Sequence, residues 1–566
     1  MNSDPLERLI PTDTMNSLQN QNSITVRSNR QKSADRSAKV QSTSSDTHIN
    51  YTENSSHNTA AQNRSILNES EQSMLRISSL ITSIANFSVQ YNFSAISIAL
   101  VVMSVSVCTE TDVIDCQHGN QASWVSSTAT ATVFAGAIAG QLLMGYAGDI
   151  WGRNVAMTAT LAISAVSAAG SAIFPTGSAV TVYAVIIGCR FILGIGLGGI
   201  FPLSATKAAE DAGASCTDDS GERVDTTSAA KSFFWQAPGA IAPWLVAFLL
   251  TYTEAGPNAK WRLILGLGAV PSGVAAAYSV YERSLQRRME KSHDSKFVAN
   301  TEASDFSNRE SAPLLTEPPV ALSPAAPNVL DILRTDDNVR KLLVTGGSWF
   351  LYDLCYYGVA LFGAQILDEI HSSSSAGAIS DDNVTSDANV RRTTTQEMLA
   401  LSMAVPGTLL SIYLMAYCST KSLQIGGFLA ISACFVLLAA TLAPLRDAHP
   451  QWLLAVYCLL LFALCVGPNT TTYVLPAESY PKRIRATLNG MSAALGKLGA
   501  VVGAYTFGYL KSVTSLYFVL CFSAAIAALG AVMTYWALPS RGFLFVTGVG
   551  SNDCTDRMRP SGTARL

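Results

Sequence analysis

The sequence contains little charge. Only 14% of its 566 residues are Asp, Glu, Lys or Arg, against roughly a quarter in an average soluble domain, whereas 49% are hydrophobic. The 11 cysteines form no CxxC pair, and no histidine stands at a metal-ligand spacing. No basic stripe interleaved with aromatic residues appears, and the net charge is −3. These absences argue against a soluble protein, a zinc site, a disulfide framework and a nucleic-acid partner.

The sequence has no recognisable nucleophile with its base, phosphate-binding loop or metal cluster, so an enzyme is the least expected class and no cofactor or metal is predicted. No signal peptide is predicted, because the first residues lack an apolar core. Residues 1–75 are rich in Ser, Asn, Thr and Gln and have few apolar side chains to bury, which predicts a disordered tail. A charged run rich in Ser and Pro at 285–340 is typical of a flexible linker.

Apolar stretches of about twenty residues recur from Arg76 onward, the length that a helix needs to cross the bilayer core. They predict an all-α membrane protein with twelve transmembrane helices. Its domains are a tail at 1–75, a six-helix bundle at 76–284, the linker at 285–340, a second bundle at 341–540 and a tail at 541–566. The predicted spans are 78–107, 125–147, 154–174, 180–204, 228–252, 261–280, 341–366, 396–417, 423–445, 451–473, 485–508 and 513–538.

Lysine and arginine indicate the orientation. They cluster at 27–36, 283–291 and 482–485, and none lies between Cys108 and Trp124. The positive-inside rule therefore predicts that both termini are cytosolic. The linker segment 310–315 fits an acidic dileucine sorting signal, so both the plasma membrane and an endolysosomal membrane are considered. Spans four and ten each contain Gly and Pro before an acidic residue, which supports two pseudo-repeats and predicts two interrupted helices.

The connection between spans two and three reads Gly145-Tyr-Ala-Gly-Asp149-Ile-Trp-Gly152-Arg153 and resembles the signature of the major facilitator superfamily. The resemblance implies two six-helix pseudo-repeats around a central cavity. Glycine permits a tight turn here, and Asp149 suits a charge-assisted contact that latches one conformation. The alternative is an ordinary loop charge pair. The counterpart at 417–421 lacks the acid and the glycine, so any latch is expected to be one-sided.

More specific motifs resemble the phosphate:proton symporter family within that superfamily. They are Arg190 to Gly199 with Pro202 to Thr206, Trp235-Gln236, Trp349 to Tyr357, Gly467 to Thr471, Pro476-Ala-Glu478, and Gly496-Lys497 with Gly499-Ala500. The resemblance implies substrate-binding roles for Gln236, Trp349, Asp353, Tyr357 and Asn469, and Lys497 is added to them as a buried cation that suits an anion. Gating or structural roles are expected for Gly145, Asp149, Gly152, Arg153, Arg190 and Glu478.

The residues themselves favour such a site. Trp349, Asp353 and either Tyr356 or Tyr357 share one face of a helix. Indole, phenol and amide groups are donors that can replace the hydration shell of an anion. Ordinary packing for Trp349 and Tyr357, and an interhelical hydrogen bond for Gln236 and Asn469, remain the alternatives.

Charge gives a sharper indication, because ionisable groups deep in a span are costly and usually functional. Only Arg190, Asp353 and Lys497 are expected well inside a predicted span. One excess positive charge suits an anion. A purely structural pair between Asp353 and Lys497 is the alternative.

Several family positions differ in this chain. Ile200 and Phe201 stand where the family has an Asp-Tyr pair, Val89 and Asn92 replace two acids, and Ala360 replaces an asparagine. Asp353 is then expected to be the only mid-span carboxylate able to exchange a proton, so coupling is altered or lost. The predicted function is secondary transport of phosphate or a related small anion, with or without protons. The alternatives are an uncoupled transporter of an organic anion or other nutrient, and a non-transporting nutrient receptor.

Overall fold

The computed structural model describes a helical protein over residues 49–106, 123–214, 225–305, 329–334, 337–371, 386–446 and 449–537. The chain divides into two compact units, Met1–Gln72 and Ser73–Leu566, and the second contains the helix bundle. Residues 1–48 of the predicted N-terminal tail, residues 306–328 of the predicted linker and the predicted C-terminal tail at 541–566 lie outside the described residues.

Every predicted span lies on a helix. In the first half these are α1 (Ile49–Ser106), α2 (Ser123–Ile150), α3 (Arg153–Ile173), α4 (Ala179–Ala214), α5a (Thr226–Phe234) with α5b (Gln236–Leu250), and α6a (Pro257–Gly266) with α6b (Ala269–Asp305). In the second half they are α7 (Asn338–His371), α8a (Ser386–Ser402) with α8b (Ala404–Met415), α9 (Thr420–Arg446), α10a (Pro450–Leu464) with α10b (Pro468–Ser479), α11 (Arg485–Val513) and α12 (Leu516–Ala537).

Ten of these helices are long and apolar enough to cross a membrane, counted over the described residues. The other two, α7 and α11, have 34 and 29 residues, which exceeds the roughly 20 that a span needs. They are more polar because they carry Asp353 and Lys497. The protein is therefore an all-α membrane protein whose twelve helices are all long enough to span a bilayer.

The interrupted helices differ from those predicted. Span ten is interrupted, since α10a ends at Leu464 and α10b begins at Pro468 after Gly467, whose φ is 76°. Span four is continuous through Pro202, so the predicted interruption there is wrong. A helix in lipid tolerates proline when neighbouring groups satisfy the backbone. Interruptions that the sequence did not indicate divide α5, α6 and α8.

The glycines of α4 do not interrupt the helix but allow neighbouring helices to pack closely against it. A Cβ on Gly194 would lie 2.3 Å from the carbonyl oxygen of Val133 on α2. In the second half, a Cβ on Gly499 of α11 would lie 2.2 Å from the carbonyl oxygen of Phe350 on α7. Helices in lipid gain no hydrophobic drive from associating, so small residues that let backbones approach stabilise such pairs. The two halves thus use the same device to hold their inner helices together.

The segments predicted to lack structure contain some helix. Helix α1 begins at Ile49, inside the predicted tail, and α6b continues to Asp305, inside the predicted linker. A helix satisfies its own backbone hydrogen bonds, so a polar sequence can extend an apolar span. A short helix, Val329–Arg334, precedes α7, and its Ile332 packs on Tyr480, Ile484 and Leu488. The end of the linker is thereby attached to the second bundle.

Candidate functional site

A cavity of about 40 Å³ lies between the two halves. One enclosed water needs roughly 10–15 Å³ of such space, so the cavity fits a few waters or a small ion rather than a large organic molecule. The first half contributes Gln90, Phe201 and Phe233 to the lining. All six residues predicted to bind substrate also line it, namely Gln236, Trp349, Asp353, Tyr357, Asn469 and Lys497.

The ion pair between Asp353 and Lys497 forms one wall. Lys497 Nζ donates to Asp353 Oδ2 at 3.0 Å and to the Tyr357 hydroxyl at 3.0 Å. Both charged side chains are only 4% exposed. Buried charges persist when they are paired and hydrogen-bonded. The pairing that the sequence left as an alternative is therefore formed, and these are the only charged residues of the described cavity lining, whose net charge is zero when both ionise.

Aromatic rings surround the ammonium group of Lys497. Its Nζ lies 4.6 Å from the ring centre of Tyr357, 5.1 Å from Phe201, 5.8 Å from Phe93 and 5.9 Å from Phe134. Cations are attracted to aromatic faces at such distances. We call these four rings the Lys497 cage. Phe93, Phe134 and Phe201 belong to the first half, so a single cation of α11 in the second half contacts both halves.

Trp349 lies one helical turn before Asp353 on the cavity face of α7. Its indole packs directly on Gly496, since a Cβ there would lie 2.5 Å from Trp349 Cδ1. The Phe201 ring meets the indole edge to face at 6.3 Å. The glycine before Lys497 thus makes room for the indole, which explains physically why the two residues adjoin in the motif at 496–500.

A buried polar network lies beside the cavity. Gln236 Nε2 donates to Asn86 Oδ1 at 2.7 Å, and Asn86 Nδ2 donates to the Tyr473 hydroxyl at 3.3 Å. The same hydroxyl lies 2.7 Å from Ser204 Oγ. Only Tyr473 comes from the second half, so it joins the halves. Sequence reasoning missed Asn86, Ser204 and Tyr473, although each is a polar residue inside a predicted span.

The interruption of α10 brings a helix end to the cavity wall. The Gly467 N–H donates to Ser411 Oγ at 2.8 Å, and α10b begins at the next residue. Asn469, the second residue of α10b, lines the cavity. The first turn of a helix carries partial positive charge, which favours an anion. A discontinuous helix at the site is typical of secondary transporters.

The lining has hydrogen-bond donors to spare. Lysine has three N–H groups, and Lys497 uses two on Asp353 and Tyr357. Tyr357 accepts one of these, which leaves its own O–H to donate. Gln236 uses one amide N–H on Asn86 and keeps another. A small oxyanion therefore finds donors from both halves. Among the described residues, no three His, Cys, Asp or Glu side chains are arranged to hold a metal ion.

Arg190 lies apart from the cavity. It is fully buried in α4, and its NH1 donates to the main-chain carbonyl of Asn92 at 2.8 Å, while its Nε has no hydrogen-bond partner. Asn92 in turn donates to the carbonyl of Gly268 at 3.0 Å. The charge of Arg190 therefore fastens α4 to α1 and does not add to the lining, contrary to the charge balance expected from the sequence.

One end of the bundle, which we call the Asp149 end, is closed by polar contacts between the halves. Asp149 accepts the N–H of Thr487 at 2.7 Å, the Thr487 hydroxyl at 2.6 Å and the N–H of Ala486 at 3.2 Å. Because α11 begins at Arg485, a carboxylate of the first half caps a helix of the second. Arg153 pairs with Asp149 at 2.9 Å.

Glu210 extends this contact. It accepts from Arg153 Nε and NH2, each at 3.2 Å, and from Arg485 NH1 at 2.7 Å. One carboxylate of α4 therefore joins a cation of each half. The sequence pattern indicated an acidic residue after span four and assigned it no partner.

Gly145 of the predicted latch permits a close contact between helices, and Gly152 permits a tight turn. A Cβ on Gly145 would lie 2.6 Å from the carbonyl oxygen of Ala486, and one on Gly490 would lie 2.2 Å from that of Gln141. Helices α2 and α11 thus touch backbone to backbone. Gly152 has a φ of 89°, which favours glycine in the turn before α3.

Glu478 behaves differently from its counterpart Glu210. It is exposed at the end of α10b and accepts a hydrogen bond from Thr420 at the start of α9, in its own half. At this end the first half supplies Asp149, Arg153 and Glu210 to the polar contacts with the second half. This one-sided arrangement agrees with the motif at 417–421, which lacks the acid and the glycine.

The opposite end, which we call the Lys260 end, is closed differently. Lys260 Nζ lies 2.9 Å and 3.0 Å from the two carboxylate oxygens of Asp387, whose side chain is 39% exposed. Helix α8a packs along α5b, and Val390, Met398 and Leu401 join the apolar cluster of the first half. The closure is therefore mainly apolar with one ion pair at the rim.

A carboxylate in α8 was missed by sequence reasoning. Glu397 was placed at the edge of a span predicted to begin at 396. The helix itself begins ten residues earlier, at Ser386, so Glu397 lies within α8a, one turn before Leu401 of the cavity lining and directly before the apolar residues that start at Met398. Sequence reasoning gave Glu397 no role, because its position relative to the cavity depends on how the two halves assemble.

Residues 78–545 match the family model described as sugar (and other) transporter. The chain belongs to this family. The match covers both halves and every spanning helix, and it confirms the expected membership of the major facilitator superfamily.

Several relatives carry phosphate in their names. The chain is 32% identical over 459 residues to inorganic phosphate transporter PT2 of Toxoplasma gondii, which covers 81% of this chain and 71% of the relative. It is 27% identical to inorganic phosphate transporter 1-2 of Oryza sativa, over 73% and 80% of the two chains. It is 26% identical to the repressible high-affinity phosphate permease of Neurospora crassa, over 67% and 69%.

Solved structures support the fold. The proton:xylose symporter XylE bound to 6-bromo-6-deoxy-D-glucose superposes with a TM-score of 0.61 over 83% of this chain and 97% of the other. The partially occluded inward-open form of XylE from E. coli gives 0.55 over 83% and 99%. At 15% identity both likenesses concern the fold alone.

Proposed function

We propose that this protein moves inorganic phosphate, or a related small anion, across a membrane by alternating access, in which its two halves open one cavity to each side in turn. The observation that carries the proposal is a small cavity between the halves, closed at both ends and containing one cation with several unused donors. The names of the relatives support phosphate as the cargo.

Each lining residue has a part in this scheme. Lys497 holds the anion by charge, while Tyr357, Gln236 and Asn469 direct N–H or O–H groups to its oxygens. Trp349, whose only side-chain N–H bonds to Asp353, forms the wall of the site beside the anion. Phosphate oxygens accept hydrogen bonds from all of these groups. Since Lys497 contacts rings of both halves, an anion on Lys497 changes the contact between them.

Asp353 supplies the link to protons. In the closed structure it needs no proton because Lys497 neutralises it. When an anion engages Lys497, the carboxylate loses part of that partner, and an apolar surrounding tolerates the neutral carboxyl better. Asp353 therefore takes up a proton as the anion binds, which is the coupling role predicted from the sequence.

The topology that accompanies this function is part of the proposal. The basic clusters put the Asp149 end and both termini in the cytosol. The bundles at 76–284 and 341–540 move about the cavity, with the segment at 285–340 between them. The protein resides in the plasma membrane or an endolysosomal membrane, and it acts by transport rather than by catalysis, without a nucleic-acid partner.

The test is uptake into proteoliposomes that contain the purified protein. Radiolabelled phosphate, sulfate, a dicarboxylate and a hexose are compared with and without an inward proton gradient. We expect phosphate uptake above empty liposomes, and faster uptake with the gradient. Uptake of the dicarboxylate or the hexose in place of phosphate contradicts the proposed cargo. Phosphate binding without uptake indicates a receptor instead.

The ion pair gives a second test. Lys497→Met leaves Asp353 buried and unpaired, which lowers the free energy of unfolding by about 3–5 kcal/mol, whereas the double variant Asp353→Leu/Lys497→Met recovers most of that stability. Both variants are expected to lose phosphate uptake. Lys231→Met, at an exposed lysine of α5a, is the matched control and keeps both properties. Thermal unfolding in detergent and uptake separate the two effects, and a double variant that still transports phosphate contradicts the role of Lys497.

A further inference from the structure

Glu397 lies on the face of α8 that leads to the cavity. Leu401, Ala404 and Thr408 of the same helix line the cavity. The four positions follow one another at intervals of four, three and four, so they share one face. Glu397 therefore continues the lining by one turn toward the Lys260 end.

No charge of the described residues neutralises Glu397. It forms no hydrogen bond or ion pair with any of them. On its own helix, Arg391 lies over the ring of Tyr252, 5.0 Å from its centre, and Arg392 is exposed. Glu397 itself is partly buried. Its carboxyl is thus an acid without a partner among the described residues, at the edge of the apolar part of α8 and one turn from the cavity lining.

The cations on the helices that contact α8a lie away from Glu397. Lys260 of α6a binds Asp387, ten residues before Glu397, and Arg340 and Lys341 of α7 lie three turns before Asp353. Helix α5b has no titratable side chain between Gln236 and Leu250. Helix α10a contributes Tyr457, which interacts electrostatically with Glu397. The same helix also contributes Cys458. Helix α7 contributes Asp353, already bound by Lys497, and the tyrosines at 352, 356 and 357, and α8b contributes Tyr413.

We propose that Glu397 is a second proton-binding site, filled from the side to which the Lys260 end opens, and that it must be protonated before that end closes. The proposal rests on the transport function proposed above. In the closed structure α8a lies along the uncharged α5b, where an unpaired carboxylate is costly. When the Lys260 end opens, α8a leaves α5b and water reaches the carboxyl, which then ionises.

Closure of the Lys260 end consequently takes up one proton from that side. Any group that binds a proton in one conformation and releases it in another makes the equilibrium between them depend on pH. Acid on that side favours closure over the bound anion and speeds uptake. The two carboxyls therefore differ in what controls their protonation. Asp353 is protonated when the anion binds, whereas Glu397 is protonated according to the pH of the medium and the position of α8a.

The experiment measures initial phosphate uptake in oriented vesicles while the pH on the side of the Lys260 end is set to acidic, neutral or mildly alkaline values. Wild type, Glu397→Gln and Glu254→Gln are compared. Glutamine imitates the neutral carboxyl, and Glu254 is an exposed acid near the same end that serves as the matched control. Dividing each rate by the wild-type rate at the same pH removes the titration of phosphate itself.

We expect the ratio of Glu397→Gln to wild type to be near one in acid and to rise with pH, by at most about tenfold per pH unit for one titrating group. The ratio for Glu254→Gln stays constant. Glu397→Asp, which restores a titrating group, is expected to bring back the wild-type dependence and guards against a folding defect in the glutamine variant.

A Glu397→Gln variant that transports with an unchanged pH profile overturns the proposal, and so does one that keeps a constant, lowered ratio at every pH while Glu397→Asp does the same. A wild-type protein that takes up no phosphate at any pH is a failure of the proposed function instead. The two failures are therefore distinguishable in one experiment.

Discussion

The two ends of the bundle are closed by different physical means. At the Asp149 end, Asp149 caps α11 from the other half, Glu210 joins Arg153 to Arg485, and α2 touches α11 backbone to backbone. At the Lys260 end, a single partly exposed ion pair stands over an apolar contact between α8a and α5b. The Asp149 end is therefore held mainly by hydrogen bonds between charged groups, whereas the Lys260 end is held mainly by apolar packing.

This difference indicates an order of events. Opening the Asp149 end breaks several charge-assisted bonds at once and uncaps a helix, while opening the Lys260 end separates side chains that water and lipid also accommodate. Charge-assisted bonds are individually the stronger ones. We therefore expect the Lys260 end to open first, and the Asp149 end to open only when an anion in the cavity has altered the contacts of Lys497 with both halves.

The largest effect is expected from Gly490→Ala. Its Cβ would lie 2.2 Å from the Gln141 carbonyl oxygen, so α2 and α11 must separate. Overpacking of this kind costs about 1–3 kcal/mol, and here the cost falls on the state closed at the Asp149 end. We expect faster alkylation of a cysteine introduced at Ser204, behind that end. Gly426→Ala is the control, because its Cβ would meet no atom within 4 Å. Equal alkylation in the two variants contradicts the close contact.

An intermediate effect is expected from Asp149→Asn. The amide removes the negative charge that caps α11 and pairs with Arg153, although it still accepts one hydrogen bond. Loss of a helix cap costs roughly 0.5–2 kcal/mol. Alkylation behind the Asp149 end should rise less than in Gly490→Ala, and uptake should fall. High salt should reduce the difference from wild type, because it screens the charges in both proteins. A variant that transports normally would show that Asp149 is an ordinary loop charge.

The smallest effect is expected from Lys260→Gln. Asp387 is partly exposed, and an exposed ion pair contributes about 0–1 kcal/mol. Uptake and thermal stability should change little, and alkylation behind the Lys260 end should rise slightly. A loss of function as large as that of Asp149→Asn would invert the comparison and identify the Lys260 end as the latched one.

The sequence predicted much of the fold, because apolar runs of spanning length are a strong signal. The six residues predicted to bind substrate, whose motifs stand on α5b, α7, α10b and α11, all line the cavity. The sequence did not predict the Lys497 cage, since Phe93 and Phe134 are ordinary apolar residues of a span until the halves are assembled. Tyr473 and Glu210 were missed for the same reason. Glu397 was given no role because it stands at the edge of the predicted span, and its place beside the cavity lining depends on the assembly of the halves.

The measurement that tests the account most directly is the distance across the Asp149 end with and without phosphate. Spin labels at cysteines replacing Ile150 and Arg483, in a protein whose native cysteines are replaced, report whether α2 and the start of α11 separate. We predict one short distance in the absence of phosphate and a second, longer one that gains population as phosphate is added. A distance that phosphate leaves unchanged, in a protein that still transports phosphate, would contradict the claim that an anion at Lys497 releases this end.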